Sequence, residues 1–163
     1  MRKAIPNDYF TEDEWELLCD CCGMCCLFKI RDADTGEIFF TRIMCPFMDR
    51  ETCRCRSYAD RFSKMSTCVK ISRRYLSKIA RWLPYHCAYR CLYENRMLPE
   101  WHPLFSDNSE AAAALREKLK AYCTIPGAPA EGIEKIKARV KSSIFPNPMK
   151  DFEEQLIENV IEE

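Results

Sequence analysis

Residues 18 to 30 read LCDCCGMCCLFKI and place five cysteines within eight positions: Cys19, Cys21, Cys22, Cys25 and Cys26. Nothing else in the chain constrains its folding as much, because sulfurs this close must be paired, ligated or kept apart. The 163 residues contain twelve cysteines, and their chemistry depends on the compartment. No stretch approaches the run of about 18 apolar residues that spans a bilayer. The opening segment, MRKAIPNDYFTEDEWELL, lacks the uninterrupted apolar core of a secretory signal. The expected location is therefore cytoplasmic, where thiols stay reduced unless they bind metal or do redox work. A disulfide framework is the weaker reading, since vicinal pairs such as Cys21-Cys22 and Cys25-Cys26 bridge only through a strained ring or through separate partners.

Cys19, Cys22 and Cys25 form C-x2-C-x2-C, a spacing that wraps three thiolates around one centre while backbone N–H groups face the sulfurs. Iron-sulfur sites are held this way, with a remote Cys-Pro pair closing the shell, and Cys45-Pro46 has that form. Zinc takes four thiolates from similar loops, so spacing separates the two metals poorly. Cys19, Cys22, Cys25, Cys26, Cys45, Cys53, Cys55, Cys68 and Cys87 make nine candidate metal ligands, more than one four-ligand centre uses. Adjacent Cys25 and Cys26 point apart in most backbone conformations. Either two centres share the region, or one is bound and the other thiols are structural or redox partners. The plainer alternative, buried free cysteines acting as small hydrophobes, accounts poorly for clusters this dense.

Around these sulfurs the pattern predicts a mainly α, small cysteine-rich, metal-stapled domain with one short β-hairpin and a helical C-terminal extension. Thr11-Glu12-Asp13-Glu14 has capping-box form and starts a helix that turns Trp15 and Leu18 inward. CLFKI and EIFFTRI read as two strands joined through Gly36. Residues 45–68 show no sustained period and read as ligated loops, with one helical turn near Tyr58 to Phe62. Ser72 caps a helix through Leu83, stopped by Pro84, and another runs from HCAYRC to about Met97. Beyond LPEWHPLFSD the composition shifts to the alanine-rich helix SEAAAALREKLKAYC, the linker TIPGAPAEG, the helix IEKIKARVK and the break FPNPMK. The last piece, DFEEQLIENVIEE, sets Phe152, Leu156, Ile157, Val160 and Ile161 on one helical face, to dock on the chain's own domain or on a protein partner. The expected division is a cysteine-cluster domain over 1–105 and a helical extension over 106–163.

The 25 basic and 25 acidic residues are segregated: residues 54–96 hold 11 basic against 2 acidic. This segment also carries Tyr58, Phe62, Tyr75, Trp82, Tyr85 and Tyr89, the ingredients of single-strand nucleic-acid binding. The stronger reading makes the rings a scarce core and the cations a shell that compensates thiolates, so a nucleic-acid partner is not expected and neither is a membrane. His102 and His86 are the only histidines, which excludes a three-histidine hydrolytic zinc site. His102, beside tryptophan and proline, reads as a packed hydrogen-bonded residue before a ligand. Nucleophile-elbow, phosphate-loop and dinucleotide signatures are absent, and four glycines leave little for a glycine-rich cradle.

In LCDCCGMCCL, DTGEIFFTRIMC, TCRCRSYADRF, CVKI, WLPYHCAYR and LPEWHPL the chain resembles the YkgJ-like or CxxxCxxCC cysteine-cluster proteins, named for zinc or iron chelation, and most closely the UPF0260 branch. Carried over by position, the resemblance implies the same nine cysteines as ligands. Three features depart from the pattern: the opening gap is two residues, Cys21 sits where glycine is expected, and Cys91 and Cys123 are extra. The implied function is a metal-binding or metal-handling protein, leaning to iron-sulfur over zinc. The alternatives are an iron-sulfur redox or protein-modifying enzyme, since a related cysteine-cluster domain is linked to flagellin lysine methylation, and a zinc-stapled nucleic-acid or protein adaptor.

Overall fold

The structure, a computed structural model, describes residues 5, 6, 8–127 and 130–161. Residues 128 and 129 of the linker therefore lie outside the described residues, as do residues 1–4 and 7 of the opening segment. Two compact units interleave along the chain: residues 1–20 with 70–133, and residues 21–69 with 134–163. Among the described residues no helix is long and apolar enough to cross a membrane.

In the first unit, α1 (Glu12–Leu17) begins where the sequence placed it. The Thr11 hydroxyl accepts from the Glu14 N–H, and the Glu14 carboxylate accepts from the Thr11 N–H in return. Trp15 and Leu18 are buried in one cluster with Phe10, Leu76, Leu92, Leu115 and Leu119. Two of the large polar rings in this core are satisfied by carbonyls: the Trp15 indole donates to Ile71 at 2.9 Å and the Tyr89 hydroxyl to Trp15 at 2.9 Å. Residues 72–83 do not form the single capped helix expected. Ser72 makes no side-chain cap; 3-10 turns at Arg73–Tyr75 and Ala80–Trp82 flank α3 (Leu76–Ile79). The breaks fall at Tyr75 and Ile79, with φ near −103° and −110°. They tighten the run so that Leu76, Ala80 and Leu83 all reach the core. The unit continues with α4 (Ala88–Tyr93) and α5 (Glu110–Tyr122). Ser109 caps α5, which buries Ala112, Leu115, Leu119 and Tyr122 along one stripe.

The second unit is built on a hairpin, β1 (Leu27–Arg31) antiparallel to β2 (Ile38–Met44), with Leu27 facing Met44 and Lys29 facing Phe40. Gly36 takes the left-handed conformation in the turn, at φ 71°. A second sheet pairs β3 (Met48–Asp49) with β4 (Arg54–Cys55). The expectation of a mainly α domain with one hairpin is thus corrected: helices share the chain with two separate two-stranded antiparallel sheets. Residues 45–55 carry no strand period because the second sheet is only two residues deep, held by a turn in which the Asp49 carboxylate accepts from the Glu51 and Thr52 N–H groups. One helical turn does form nearby, α2 (Arg61–Lys64).

The C-terminal residues finish this unit. α6 (Ile133–Lys141) buries Ile136 and Val140, and α7 (Phe152–Glu158) is capped by Asp151 and buries Leu156. The expected helical face does not extend to Val160 and Ile161. The helix ends at Asn159, whose carbonyl accepts from the Arg42 N–H at 2.8 Å; the Ile161 N–H then donates to the Phe40 carbonyl at 2.8 Å. Ile144 exchanges backbone bonds with Arg42 and Met44. Together these residues cover the edge of β2 that β1 leaves open.

Candidate metal centre

The open end of the β1–β2 hairpin concentrates sulfur. Cys25 and Cys26 close the 3-10 turn Met24–Cys26 immediately before β1, and Cys45 follows β2. The Cys45 N–H donates to the Cys26 carbonyl at 2.9 Å, which ties the two ends together. The chain then turns sharply, with the Met48 N–H donating to the Cys45 carbonyl at 3.0 Å. The N–H groups of Phe47 and Met48 point at the Cys45 sulfur, as expected of a loop shaped to hold a thiolate. Pairing of Cys55 with Met48 across the second sheet brings a further sulfur to this turn, and Cys68 follows α2, its N–H donating to the Met65 carbonyl.

Three of these thiols are raised in part by the charge of others in the set. The Cys26 thiol is pushed far above the ordinary range by a hydrogen bond with the Cys25 thiol, by burial, and by charge on Cys25, Cys45 and Cys55. Burial raises Cys45, and charge on Cys55 and Cys25 adds to it, against the lowering by its two N–H donors. Burial also raises Cys68; Arg61 opposes, while charge on Cys45, Cys25 and Cys55 reinforces. Sulfurs that penalise one another's ionisation in this way cannot all be thiolates unless a cation joins them. The donor set therefore fits a thiophilic metal ion or cluster. Basic groups frame it: the Lys29 ammonium donates to the Cys25 and Leu27 carbonyls and the Arg56 guanidinium to the Pro46 carbonyl at 2.9 Å.

The other four predicted ligands are Cys19, Cys22, Cys53 and Cys87. Cys53 is buried at φ 57°; burial raises its thiol, and the charges acting on it most are those of Lys141, Lys137, Asp49 and Glu51 rather than other cysteines. Cys22 is buried in the loop before Met24. There, Cys21 at φ 54° and Gly23 at φ 81° are both left-handed, so the residue standing where the family pattern has glycine does adopt a glycine-like conformation. Cys19, exposed, and Cys87, half-buried, belong to the first unit.

Histidine plays two parts in that first unit. His102 is buried with both ring nitrogens engaged: Nδ1 accepts from the Leu104 N–H at 3.2 Å, so Nε2 carries the proton and faces the Leu18 carbonyl at 3.2 Å. Burial holds its pKa below the usual value, against the charge of Asp20 and the Leu18 bond. It is a structural residue that fixes the chain just ahead of Cys19. His86 is buried beside the Trp101 ring, and its Nε2 lies 3.8 Å from a carboxylate oxygen of buried Asp20. Sequence reasoning passed over Asp20; a carboxylate inside the densest cysteine run was the available signal.

The family described as "Putative zinc- or iron-chelating domain" matches residues 18–88. The chain is 44% identical over 113 residues to a UPF0260 protein of Vibrio campbellii, covering 69% of this chain and 75% of the relative. It is 46% identical over 112 residues to one of Vibrio vulnificus, covering 68% and 75%, and 40% identical over 121 residues to one of Gluconobacter oxydans, covering 74% of each. This is a cysteine-cluster protein of the chelating type. The chain belongs to the UPF0260 family. No solved structure matches it. Family membership and the donor chemistry together support metal binding.

Proposed function

We propose that this is a cytoplasmic metal-handling protein whose second unit holds an iron-sulfur cluster, or else a zinc ion, through ligands drawn from Cys25, Cys26, Cys45, Cys55 and Cys68. The observation that carries the reading is that charge on Cys25, Cys45 and Cys55 raises both the Cys26 and the Cys68 thiols, beside a hairpin end where the Cys45 N–H donates to the Cys26 carbonyl. Four sulfurs complete a shell of either kind. The fifth, with Cys19, Cys22, Cys53 and Cys87 among the nine family cysteines, supplies thiols beyond one shell, as expected of a protein that receives or passes on metal rather than only being stapled by it.

Iron-sulfur is favoured by the Cys45-Pro46 pair and by the two N–H groups aimed at the Cys45 sulfur, the type of contact that tunes cluster potential. A bound cluster would supply one-electron chemistry; a zinc ion would supply only folding energy and Lewis acidity. The chain's own residues hold the thiolates, offset their charge through Arg61, and fix Cys26 to Cys45 through the backbone.

Anaerobic purification followed by visible spectroscopy and metal and sulfide analysis tests this. The expected result is iron with matching sulfide and a broad visible absorbance that Cys45→Ser abolishes. Colourless protein containing zinc overturns the iron-sulfur assignment. Metal-free protein whose hairpin stays protected in chelator overturns metal handling.

A further inference from the structure

Three large rings of the first unit stand in water among cations. The turns over residues 73–82 bury Leu76 and Ala80 and, just beyond them, Leu83, which leaves Arg74, Tyr75, Lys78, Arg81 and Trp82 outside. Tyr75 is 44% exposed and Trp82 37%; Tyr85, which follows Pro84, is 47% exposed. The sequence-based reading of this segment's rings as core therefore holds for Tyr89, at 5%, and fails for these three. Large aromatic side chains grouped at a surface mark contact sites.

Cations hold two of these rings in place without burying them. The Arg74 guanidinium lies 5.7 Å and the Lys78 ammonium 5.9 Å from the Tyr75 ring centre. Over Tyr85 stand Arg96 at 3.9 Å and Arg90 at 5.6 Å. Both guanidinium groups are themselves anchored, Arg96 donating to the Tyr85 carbonyl at 2.7 Å and Arg90 to that of Leu83 at 2.9 Å.

The charge around the rings is only partly balanced. Residues 70–93 hold six basic side chains and no acidic one. Arg73 pairs with Glu12, and Arg90 and Arg96 share Glu94. Among the described residues Arg74, Lys78 and Arg81 form no ion pair. A carboxylate-rich protein would answer these cations and leave the rings without a stacking partner, and a duplex hides the faces of its bases. A single strand brings phosphates and open base faces together.

We propose that the outer face of residues 74–85 binds single-stranded nucleic acid, with Tyr75, Trp82 and Tyr85 stacking on bases and Arg74, Lys78 and Arg81 neutralising phosphates.

The test is fluorescence anisotropy of labelled oligo(dT) and oligo(U) of about 12 nucleotides, within the usual range of single-strand site sizes, titrated with the full-length reduced protein. Saturable binding of at least one strand is expected, and the tighter of the two identifies DNA or RNA as the ligand. Trp82→Ala weakens it about five- to a hundredfold, the worth of one stacked base, whereas Trp82→Phe retains most of the affinity and loses the quenching of tryptophan emission on binding. Changing Arg74, Lys78 and Arg81 together to Gln lowers the slope of log K against log salt by about 2, from three phosphates at about 0.7 each. Should Trp82→Ala disturb the fold, as an altered urea midpoint would report, Tyr85→Ala and the charge variant decide. No saturable binding, stacking variants that bind as the parent does, or an unchanged salt slope overturns the proposal. So does a duplex of equal length that binds as tightly, or polyglutamate that does, which would make this a surface for an acidic protein.

Discussion

Gly23→Ala tests whether the cysteine loop is built as described. Gly23 sits at φ 81°, where an L-residue costs about 1–2 kcal/mol. An added Cβ would also collide with the Met48 methyl and meet Val140 Cγ1 at 3.1 Å and Cys53 Cβ at 3.2 Å. Met48 can swing its flexible end aside, but Met48, Val140 and Cys53 are all buried, and overpacking of this kind costs about 1–3 kcal/mol. Against these stands a gain of about 0.4–1 kcal/mol from the stiffer unfolded chain. The expected net loss is about 2–4 kcal/mol.

All three tryptophans lie in the first unit, so the readout must come from the second. Hydrogen exchange at Arg42, Met44 and Cys45, whose amides are bonded to Asn159, Ile144 and Cys26, measures the free energy of opening that unit. The comparison is made at fixed free metal. Cys21→Gly is the companion variant. It relieves a left-handed residue at φ 54° and should stabilise the same amides by at most about 1 kcal/mol, after the entropy of the new glycine. Opposite signs two residues apart are hard to produce by any general effect on the loop. Opening free energies within about 0.5 kcal/mol of the parent for Gly23→Ala would refute the description of the loop.

Other expectations follow from the same geometry. Leu119→Ala, at a fully buried position of α5, should cost about 2–5 kcal/mol in urea unfolding followed by tryptophan fluorescence, and a cost under 1 kcal/mol would mean the site collapses around the cavity. His102 is held below its usual pKa by burial, so the folded state resists a proton that the unfolded chain accepts. Its contribution is complete above about pH 6.5 and is lost as pH falls below that value, with a slope of up to about 1.4 kcal/mol per pH unit that a His102→Gln variant should lack. Chelation should remove on the order of 10 kcal/mol from the second unit. Hairpin amides are then expected to exchange freely while Trp15 fluorescence persists; equal protection with and without chelator would contradict the ligation.

Much of the local structure was legible because its cause is local. The capping box at Thr11, the Ser109-started helix and the Asp151-started helix each rest on residues within four positions of one another, and the hairpin strands pair across a single short turn. The same reasoning failed where partners are distant. Apolar spacing at Leu76, Ala80 and Leu83 suits an ideal helix as well as the broken run that packs them. Val160 and Ile161 continue a helical face on paper, yet the open edge of β2, some 120 residues earlier in the chain, takes their backbone. The thiols divide in a similar way. Spacing groups Cys19, Cys22 and Cys25, but it cannot reach Cys45 and Cys55, whose charges raise the Cys26 and Cys68 thiols only once the chain has folded.

A raised thiol pKa has two physical origins here, and they sort the cysteines by what a metal would do to them. Cys91 and Cys123 are pushed up to about 11 and about 12, burial being the largest cause in each case. The Cys91 sulfur faces the Tyr85 and His86 carbonyls within unit 1. A metal in the hairpin site does nothing to lift that burial, so these thiols stay protonated and act as small hydrophobes. Cys26, Cys45 and Cys68 are raised in part by the charge of neighbouring sulfurs, and a bound cation reverses that contribution. Loading metal at neutral pH should thus release protons from the hairpin set alone, and alkylation mapped by mass spectrometry should find that set protected by metal. Cys91 and Cys123 should react only on unfolding, whether or not metal is present. Rapid alkylation of either in folded protein would mean that the first unit does not bury them, and the division between packing thiols and ligating thiols would fail with it.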